Sequence, residues 1–462
     1  MIKSSALLAL VLFCLTIISP QGIGVRFSLS LPHIDLPRIF IIFTIVISSV
    51  LLLMGRWRTT VESAPVSCSA LIMMLIWCFS TASLSESPLE SVLFVARIMT
   101  IGPLYSLAFC VLADDPSYKK ETYLFMVLTV GLLILYSNLE FISQKYLVPI
   151  SWRTCFYNID SYDWVLRRVL RRGGFILSQG PYVWNHTLGG MFCVFSGLVW
   201  LVVEKRKFIG MVFCSMFFVA VYATGMRATT IAVTMSMLVW LVYRKKIENM
   251  VRISIALCSA SIFCLLKIDK EFFWQGLFHV ADISNSAEIV SSKVLNLDFV
   301  LVGKMIEKFS FGLISYDTAE ILLRETGTVG IRLTGMLQNI GKIDDWWLFG
   351  YGAGAFMAPT KVSSLAVQYD DPSLFLVFMF EYGLPLALLI GLLILYALFQ
   401  GFRNSKFGTW PLAIGVLSWS IFSLSSWAVW PMLPAFVMVI LIEKWSKGHL
   451  KEEKAALKEN EP

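Results

Sequence analysis

The feature that most constrains this chain is a series of long apolar segments that recurs along almost its whole length. About twelve can be recognised, and they cover residues 5–20, 39–54, 66–83, 89–112, 122–139, 181–203, 208–224, 228–243, 251–267, 373–400, 408–424 and 427–443. A helix needs roughly 17–25 apolar residues to cross the hydrocarbon core of a bilayer. The sequence therefore predicts an all-α polytopic membrane protein with about twelve transmembrane helices.

The composition agrees with this class and excludes several others. Hydrophobic residues make up 57% of the 462 residues and charged residues only 15%, against about 25% charged residues in soluble domains. The apolar content excludes a disordered chain or a coiled coil as a description of the whole. The net charge of +7 indicates basic cytoplasmic loops, because no clustered basic patch suggests nucleic-acid binding.

Cysteines and histidines do not indicate a disulfide framework or a metal site. Most of the nine cysteines lie in apolar segments, and only Cys155 falls in a polar loop. The four histidines are scattered without the spacing of metal ligands. We therefore predict neither a disulfide-stapled outer domain nor a zinc site of histidines and cysteines, and we expect no cofactor.

Basic residues in the short loops predict the orientation. If the N-terminus is cytoplasmic, the basic short loops all fall on one side of the membrane, as the positive-inside rule requires. Those residues are Arg56, Arg58, Lys119, Lys120, Lys205, Arg206, Lys207, Arg244, Lys245, Lys246, Arg403 and Lys406, and the C-terminal tail adds further lysines. Both termini are thus predicted to be cytoplasmic. The first segment lacks a small-x-small cleavage site, so we interpret it as an uncleaved span rather than a signal peptide.

Two long segments are then external. The predicted organisation is N-terminal transmembrane helices at 1–139, a first loop at 140–180, central helices at 181–267, a large loop at 268–371, C-terminal helices at 372–445 and a charged tail at 446–462. Loops longer than about 15 residues are usually functional or disordered. The larger one is not of low complexity, and we expect it to form short helices over the membrane face.

The first external loop is rich in arginine, since it contains Arg153, Arg167, Arg168, Arg171 and Arg172. One interpretation is an amphipathic helix on anionic lipid headgroups. The alternative is a basic mouth that receives a polyanionic or pyrophosphate-bearing substrate. Arg227, at the outer end of a later span, allows the same two readings: a snorkelling anchor, or an anion ligand whose planar guanidinium matches phosphate oxygens.

The second external loop is net acidic, so its two arginines, Arg324 and Arg332, do not belong to a general positive surface. A helix running through both would place them on related faces, but Gly327 and Gly330 favour a break between them. Further on, glycines at alternate positions from Gly350 to Gly354 allow close backbone approach or unusual dihedral angles. No strand surrounds them, so they are not a nucleotide fingerprint.

Acidic residues mark the return to the membrane. In Asp370-Asp371-Pro372 one carboxylate could cap the next helix, with Pro372 in its first turn. The functional alternative is a carboxylate that deprotonates or orients a hydroxyl nucleophile. A divalent cation would need more oxygen ligands than this pair offers. Glu381 lies within the same apolar segment, and an intramembrane acid is functional by default.

Together these features resemble the O-antigen polymerase and ligase family of bacterial polysaccharide assembly. The resemblance rests on the layout of spans and loops and on degenerate motifs over about 60 residues. The motifs are Thr224-Gly-Met-Arg227, Arg332 followed by Trp347-Leu-Phe-Gly350-Tyr-Gly352-Ala-Gly354-Ala-Phe356, and Glu381-Tyr-Gly383-Leu-Pro. Ligases of the family usually carry a histidine before the last motif. Here Asp370-Asp371-Pro372 stands in its place, which favours a polymerase.

The resemblance implies a metal-independent membrane glycosyltransferase with a glycosyltransferase-C-like architecture and two periplasmic loops. Its substrate would be an oligosaccharide on undecaprenyl pyrophosphate, at the periplasmic face of the bacterial inner membrane. Arg227 and Arg332 match arginine positions of the family and Arg172 resembles a third, so the resemblance implies that they bind the pyrophosphate. From their own positions in the sequence, we expect Arg171 and Arg324 to join them, and Asp370 and Asp371 to act with Arg227 and Arg332 in catalysis. Membrane lipids and a chain-length regulator are the implied partners, and no nucleic acid is expected.

Three other functions remain open at this stage. A ligase would transfer the glycan to lipid A core or to protein. A transporter or flippase for lipid-linked oligosaccharides would place charged residues throughout a cavity spanning both leaflets, whereas the candidate polar residues here concentrate at the external face. A receptor or structural membrane protein would use the large acidic loop as a binding module.

Overall fold

The computed structural model describes residues 2–25, 34–85, 88–113, 118–149, 152, 176–267, 299–325, 334, 337, 347–352, 373–405, 408–426 and 428–459. Over these residues the fold is almost entirely helical. The exception is a short antiparallel pair, in which β1 (Gly24–Val25) meets β2 (Ile34–Asp35) in the connection between the first two helices.

The helices follow the apolar segments of the sequence. They are α1 (Ile2–Ile18), α2 (Leu36–Leu51), α3 (Trp57–Ser63), α4 (Pro65–Ser83), α5 (Pro88–Met99), α6 (Tyr105–Leu112), α7 (Lys119–Ser143), α8 (Asn185–Lys205), α9 (Lys207–Ala223), α10 (Arg227–Arg244), α11 (Ile247–Lys267), α12 (Phe299–Phe309), α13 (Tyr316–Glu325), α14 (Leu374–Tyr382), α15 (Leu384–Arg403), α16 (Trp410–Ser423) and α17 (Met432–Glu459).

Seven helical stretches within the described part of the chain are long and apolar enough to cross a membrane. They are Leu36–Arg56, Pro65–Ser83, Ser91–Leu112, Lys119–Ser143, Asn185–Lys205, Ile247–Leu266 and Leu384–Arg403. Shorter apolar helices cover Ser5–Ile18, Lys207–Ala223 and Trp410–Ser423. The chain is therefore an all-α membrane protein, and the number of its spans remains a prediction.

Three of the predicted segments are interrupted rather than straight. A π-helical turn, Leu52–Arg56, extends α2, and within it Gly55 leaves the helical region with φ 91°. A second π-helical turn, Thr100–Leu104, contains Pro103 and joins α5 to α6. The segment predicted as a span at 373–400 is not one continuous helix, because Gly383 (φ 85°, ψ 167°) separates α14 from α15. Only glycine adopts that backbone conformation readily.

The centre of the bundle is α8, which packs most extensively against α16 and also contacts α9 and α10. Glycines let α8 and α16 approach closely. A Cβ at Gly197 would lie 1.9 Å from the Pro411 carbonyl oxygen, and one at Gly415 would lie 2.0 Å from the Val194 carbonyl oxygen. Small residues at helix crossings are typical of membrane bundles, where association depends on close van der Waals packing.

The basic short-loop residues gather at one end of the bundle, as the sequence predicts. Arg244 and Lys246 both pair with Glu204 at the end of α8, and Lys119 lies over the Trp445 ring of α17. The Lys444 ammonium donates to the Ala113 carbonyl at the end of α6. We call this the basic end, and the opposite end holds the candidate site.

Candidate functional site

Arg227 is the first residue of α10 and lies at the end of the bundle opposite the basic end. The turn before it uses Gly225 with φ 62°, and the Met226 amide donates to the Thr224 hydroxyl at 3.3 Å. The Arg227 side chain is exposed. A cation is unfavourable at a helix N-terminus, where the helix dipole is positive. An anion bound here would instead be stabilised by both the guanidinium and the dipole.

Below Arg227, α10 presents an apolar stripe on its exposed face. Its opposite face is buried through Ala232, Val233, Ser236 and Trp240, and α10 packs against α8 and α16. The exposed large side chains are Ile231, Met235, Leu238 and Val242. They follow Arg227 at spacings of three and four residues, which places them on roughly one face of the helix. A cationic group thus heads an apolar surface directed outward from the bundle.

The first turns of α8 and α10 lie side by side. The Asn185 side-chain amide donates to the Thr224 carbonyl at 2.8 Å, and a Cβ at Gly189 would lie 2.1 Å from the Thr229 hydroxyl oxygen. Asn185 is buried. It is therefore a packing residue.

Glu140, near the end of α7, fixes the chain that leads from the arginine-rich loop into α8. Its Oε2 accepts hydrogen bonds from the Ser178 hydroxyl at 2.9 Å, the Gln179 amide at 3.0 Å and the Gly180 amide at 2.9 Å. Its Oε1 accepts from the Leu147 amide at 3.2 Å. The buried carboxylate therefore holds two parts of the first predicted loop against the end of α7.

The same segment is attached to the turn before Arg227. The Ser178 amide donates to the Ala223 carbonyl at 2.9 Å. Arg171 and Arg172 lie outside the described residues, but Arg172 precedes Ile176 by only a few positions.

Residues 347–352 of the second predicted loop pack onto the break between α14 and α15. The Tyr351 amide donates to the Phe380 carbonyl at 2.7 Å, and the Gly352 amide donates to the Glu381 carbonyl at 3.2 Å. The Leu384 amide donates to the Trp347 carbonyl at 2.8 Å. Backbone groups freed at a helix break inside a membrane must find partners within the protein, and this turn supplies them.

The packing of residues 347–352 onto the break between α14 and α15 requires the glycines of this turn. Gly350 (φ 70°) and Gly352 (φ 95°) adopt left-handed conformations. A Cβ at Gly350 would lie 2.4 Å from the Glu381 carbonyl carbon, and one at Gly383 would lie 2.1 Å from the Leu348 oxygen. The prediction of close backbone approach is confirmed at Gly350 and Gly352, and the approach brings together two motifs that are distant in sequence.

Trp77 of α4 completes this arrangement. Its indole nitrogen donates to the Tyr382 carbonyl at 2.8 Å, and its ring stacks on Phe349 with centroids 5.8 Å apart. Glu381 is fully buried at the same break. The second predicted loop therefore returns into the helical bundle next to an acidic side chain.

Several predicted site residues lie outside the described residues: Arg332, Asp370 and Asp371, besides the two arginines of the first loop. Arg324 lies on α13, which ends one residue later at Glu325. Beyond Asp371, α14 begins at Leu374 with Ser373 at its N-cap position. The Ser373 hydroxyl donates to the Ser423 carbonyl at 2.9 Å. Ser373 thus holds the cap position that one interpretation gave to an aspartate.

Two arginines were not singled out by the sequence analysis. Arg38 at the start of α2 pairs with buried Asp35 at 3.2 Å and lies over the Trp430 ring at 5.7 Å. Burial raises the pKa of the Asp35 carboxyl, and the Arg38 charge opposes that rise. Arg97 is exposed on α5, well inside the predicted span at 89–112. An arginine within an apolar run is the signal that could have identified it.

A comparison with known protein families and with curated proteins finds no match to this chain. In the part of the chain that the structure describes, no three His, Cys, Asp or Glu side chains come together as they would to hold a metal ion.

Proposed function

We propose that the protein is a membrane glycosyltransferase that joins oligosaccharide repeat units carried on undecaprenyl pyrophosphate, as an O-antigen polymerase does. The observation that carries the proposal is the exposed Arg227 at the head of the apolar stripe on α10. A polyprenyl pyrophosphate has the matching shape, with a polyanionic head and a long apolar chain. The head would lie at Arg227, and the chain would follow Ile231 and Leu238 towards the basic end.

The proposed glycosyl transfer needs cationic side chains near the leaving group more than it needs a metal or a cofactor. The acceptor hydroxyl oxygen attacks the anomeric carbon of the donor sugar, and the bond from that carbon to the pyrophosphate oxygen breaks. Negative charge then develops on the departing undecaprenyl pyrophosphate, and fixed guanidinium groups stabilise it. In this proposal Asp371, assisted by Asp370, orients the hydroxyl and accepts its proton.

The other arginines of the proposed site come from the two loops. Ser178, which follows Arg171 and Arg172 in the sequence, is attached to Ala223 in the turn that precedes Arg227. Packing of residues 347–352 onto the helix break returns the second loop, which carries Arg324 and Arg332, to the bundle. These contacts support a shared binding site for the pyrophosphate.

The same proposal assigns an orientation. With about twelve transmembrane helices, both termini and the basic end are cytoplasmic. Arg227 and both long loops then face the periplasm from the bacterial inner membrane, in a glycosyltransferase-C-like architecture. A chain-length regulator would be the protein partner. The gathering of basic residues at one end supports this orientation.

Reconstitution of the purified protein with lipid-linked repeat units tests the proposal. The lipid should come from the source cells, and the glycan products should be separated on a gel. A ladder of repeat multiples without added lipid A core is the expected result. Product that forms only after core lipid or protein acceptor is added would identify a ligase. Movement of labelled lipid between leaflets without any new glycosidic bond would identify a transporter, and either outcome would replace the polymerase.

A further inference from the structure

The helices α12 and α13 form a hairpin whose tip, Phe309–Tyr316, is apolar and exposed. Phe309 is 72% exposed, Phe311 95% and Leu313 89%. No charged residue occurs between Lys308 and Asp317. A contiguous exposed apolar surface of this kind is typical of a site that contacts a membrane or another protein.

The apolar side chains of the tip are not part of the buried contact between α12 and α13. The two helices pack on each other through buried Val302, Ala319 and Leu323. These side chains lie on the faces that α12 and α13 turn towards one another, away from the tip. The exposed residues of the tip therefore remain available for an external contact.

Backbone amides at the tip are satisfied within the tip itself. The Phe311 amide donates to the Lys308 carbonyl at 3.3 Å, and the Gly312 amide donates to the Glu307 carbonyl at 2.9 Å. The Leu313 amide donates to the Ser310 carbonyl at 3.0 Å. These bonds are the common capping of a helix C-terminus by a residue in the left-handed conformation, and they leave the three amides paired, as a turn that enters hydrocarbon requires.

The remaining polar groups at the tip follow the same pattern. The Ile314 amide donates to the Ser310 hydroxyl at 3.2 Å, and that hydroxyl in turn contacts the Glu307 carbonyl at 3.1 Å. The hydroxyls of Ser315 and Thr318 lie 2.9 Å apart within hydrogen-bonding distance. The tip thus presents apolar side chains outward, and its amides from Phe311 to Ile314 are paired.

We propose that the tip Phe309–Tyr316 inserts into the leaflet of the lipid bilayer at the end where α11 leaves the membrane. The hairpin is connected to α11 on one side and precedes α14 on the other, so the bilayer is the apolar phase nearest to it along the chain. The helices have 11 and 10 residues and reach only about 16 and 15 Å, which excludes crossing a core of roughly 30 Å. Lys308, directly before the tip, is exposed and would meet lipid phosphates.

Photocrosslinking of the full chain tests this contact. A benzophenone amino acid is placed at position 311 in protein reconstituted into vesicles of phosphatidylethanolamine and phosphatidylglycerol, and lipid adducts are measured by mass spectrometry. The matched control places the same group at Lys304, which is exposed on α12 outside the tip. We expect a lipid-adduct yield several-fold higher at position 311 than at position 304.

A second position keeps the test decisive if the first variant does not fold. Leu313 is almost as exposed as Phe311, so it should give the same lipid adducts. Equal lipid yields at the tip and at position 304 would overturn the proposal. Cross-links to another segment of this chain, or to a second copy, would also overturn it and identify a protein contact instead. No glycan substrate is used, so the result is independent of the proposed enzymatic function.

Discussion

Among single residues, what distinguishes the candidate site from the basic end is the position of the arginine relative to apolar surface. Arg227 and the basic-end arginines are chemically identical but have different surroundings. Arg244 pairs with Glu204 and lies over the Trp410 ring. Arg227 instead lies at a helix N-terminus above an apolar stripe. A guanidinium in this setting is suited to an anionic headgroup, because the helix dipole adds to its charge.

Substitution of Arg227 should therefore affect turnover more than folding. We expect Arg227→Ala to lower the rate of polymer formation by about 100-fold or more, because a fixed cation that stabilises developing charge is lost. Arg227→Lys should recover little of that rate, since lysine lacks the planar fork. Arg332→Ala should behave as Arg227→Ala does. Rates of glycan formation in reconstituted vesicles check this, and full activity in both alanine variants would contradict the site.

Asp371 offers a second test at this scale. Asn and Asp are about equally good at capping a helix, and Ser373, at the N-cap position of α14, makes no capping hydrogen bond with its side chain. The neutral variant Asp371→Asn should therefore leave protein yield and thermal stability unchanged. Its turnover should fall by roughly 100-fold, because the group that accepts the hydroxyl proton is lost. If the variant instead lowers yield while each folded molecule keeps its activity, Asp371 has a structural role.

At the scale of elements, the break between α14 and α15 is the feature that sequence periodicity could not locate. The apolar run is continuous through Gly383, so hydropathy alone predicts one straight helix. The break forms because residues 347–352, far away in sequence, supply partners for the freed backbone groups. The alternating glycines predicted a close approach of two backbones. They did not indicate which segment of the chain would approach them, namely the break between α14 and α15.

Glycine substitutions test that break. In Gly383→Ala the new Cβ would lie 2.1 Å from the Leu348 oxygen, and the φ and ψ angles would be strained by about 1–3 kcal/mol. We expect a lower thermal midpoint for the protein in detergent. The matched control is Gly391→Ala in the same helix α15, where an added Cβ meets nothing within 4 Å. Equal midpoints for the two variants would show that the contact at Gly383 contributes no stability.

At the scale of the whole molecule, the apolar segments predicted where the helices lie, because burial in lipid demands long apolar runs. The gathering of basic residues at one end was also predictable from the positive-inside rule. Helix interruptions such as Gly55 and the π-helical turn at Pro103 could not be predicted from the sequence, since they depend on packing against neighbouring helices. Arg332, Asp370 and Asp371 stay predictions.

The orientation can be tested with the single cysteine of the predicted outer loops. Cys155 lies in the polar first loop, so an impermeant maleimide should label it from outside the inner membrane. Cys155→Ser should abolish that labelling. In the same background, Thr59→Cys beside Arg58 should be labelled only after the membrane is opened, since Thr59 is exposed near the basic end. Labelling of position 59 from outside would reverse the proposed topology.

The proposed function depends above all on the binding of a polyprenyl pyrophosphate by Arg227 and the stripe below it. The most direct measurement is native mass spectrometry of the protein with added undecaprenyl pyrophosphate, comparing the wild type with Arg227→Ala. The control is Arg58→Ala, which removes an exposed arginine of the basic end that pairs only with nearby exposed Glu62 among the described contacts. We predict that the wild type and Arg58→Ala retain the lipid while Arg227→Ala loses it. Equal retention of the lipid by all three proteins, or no binding by the wild type, would show that Arg227 does not bind the pyrophosphate.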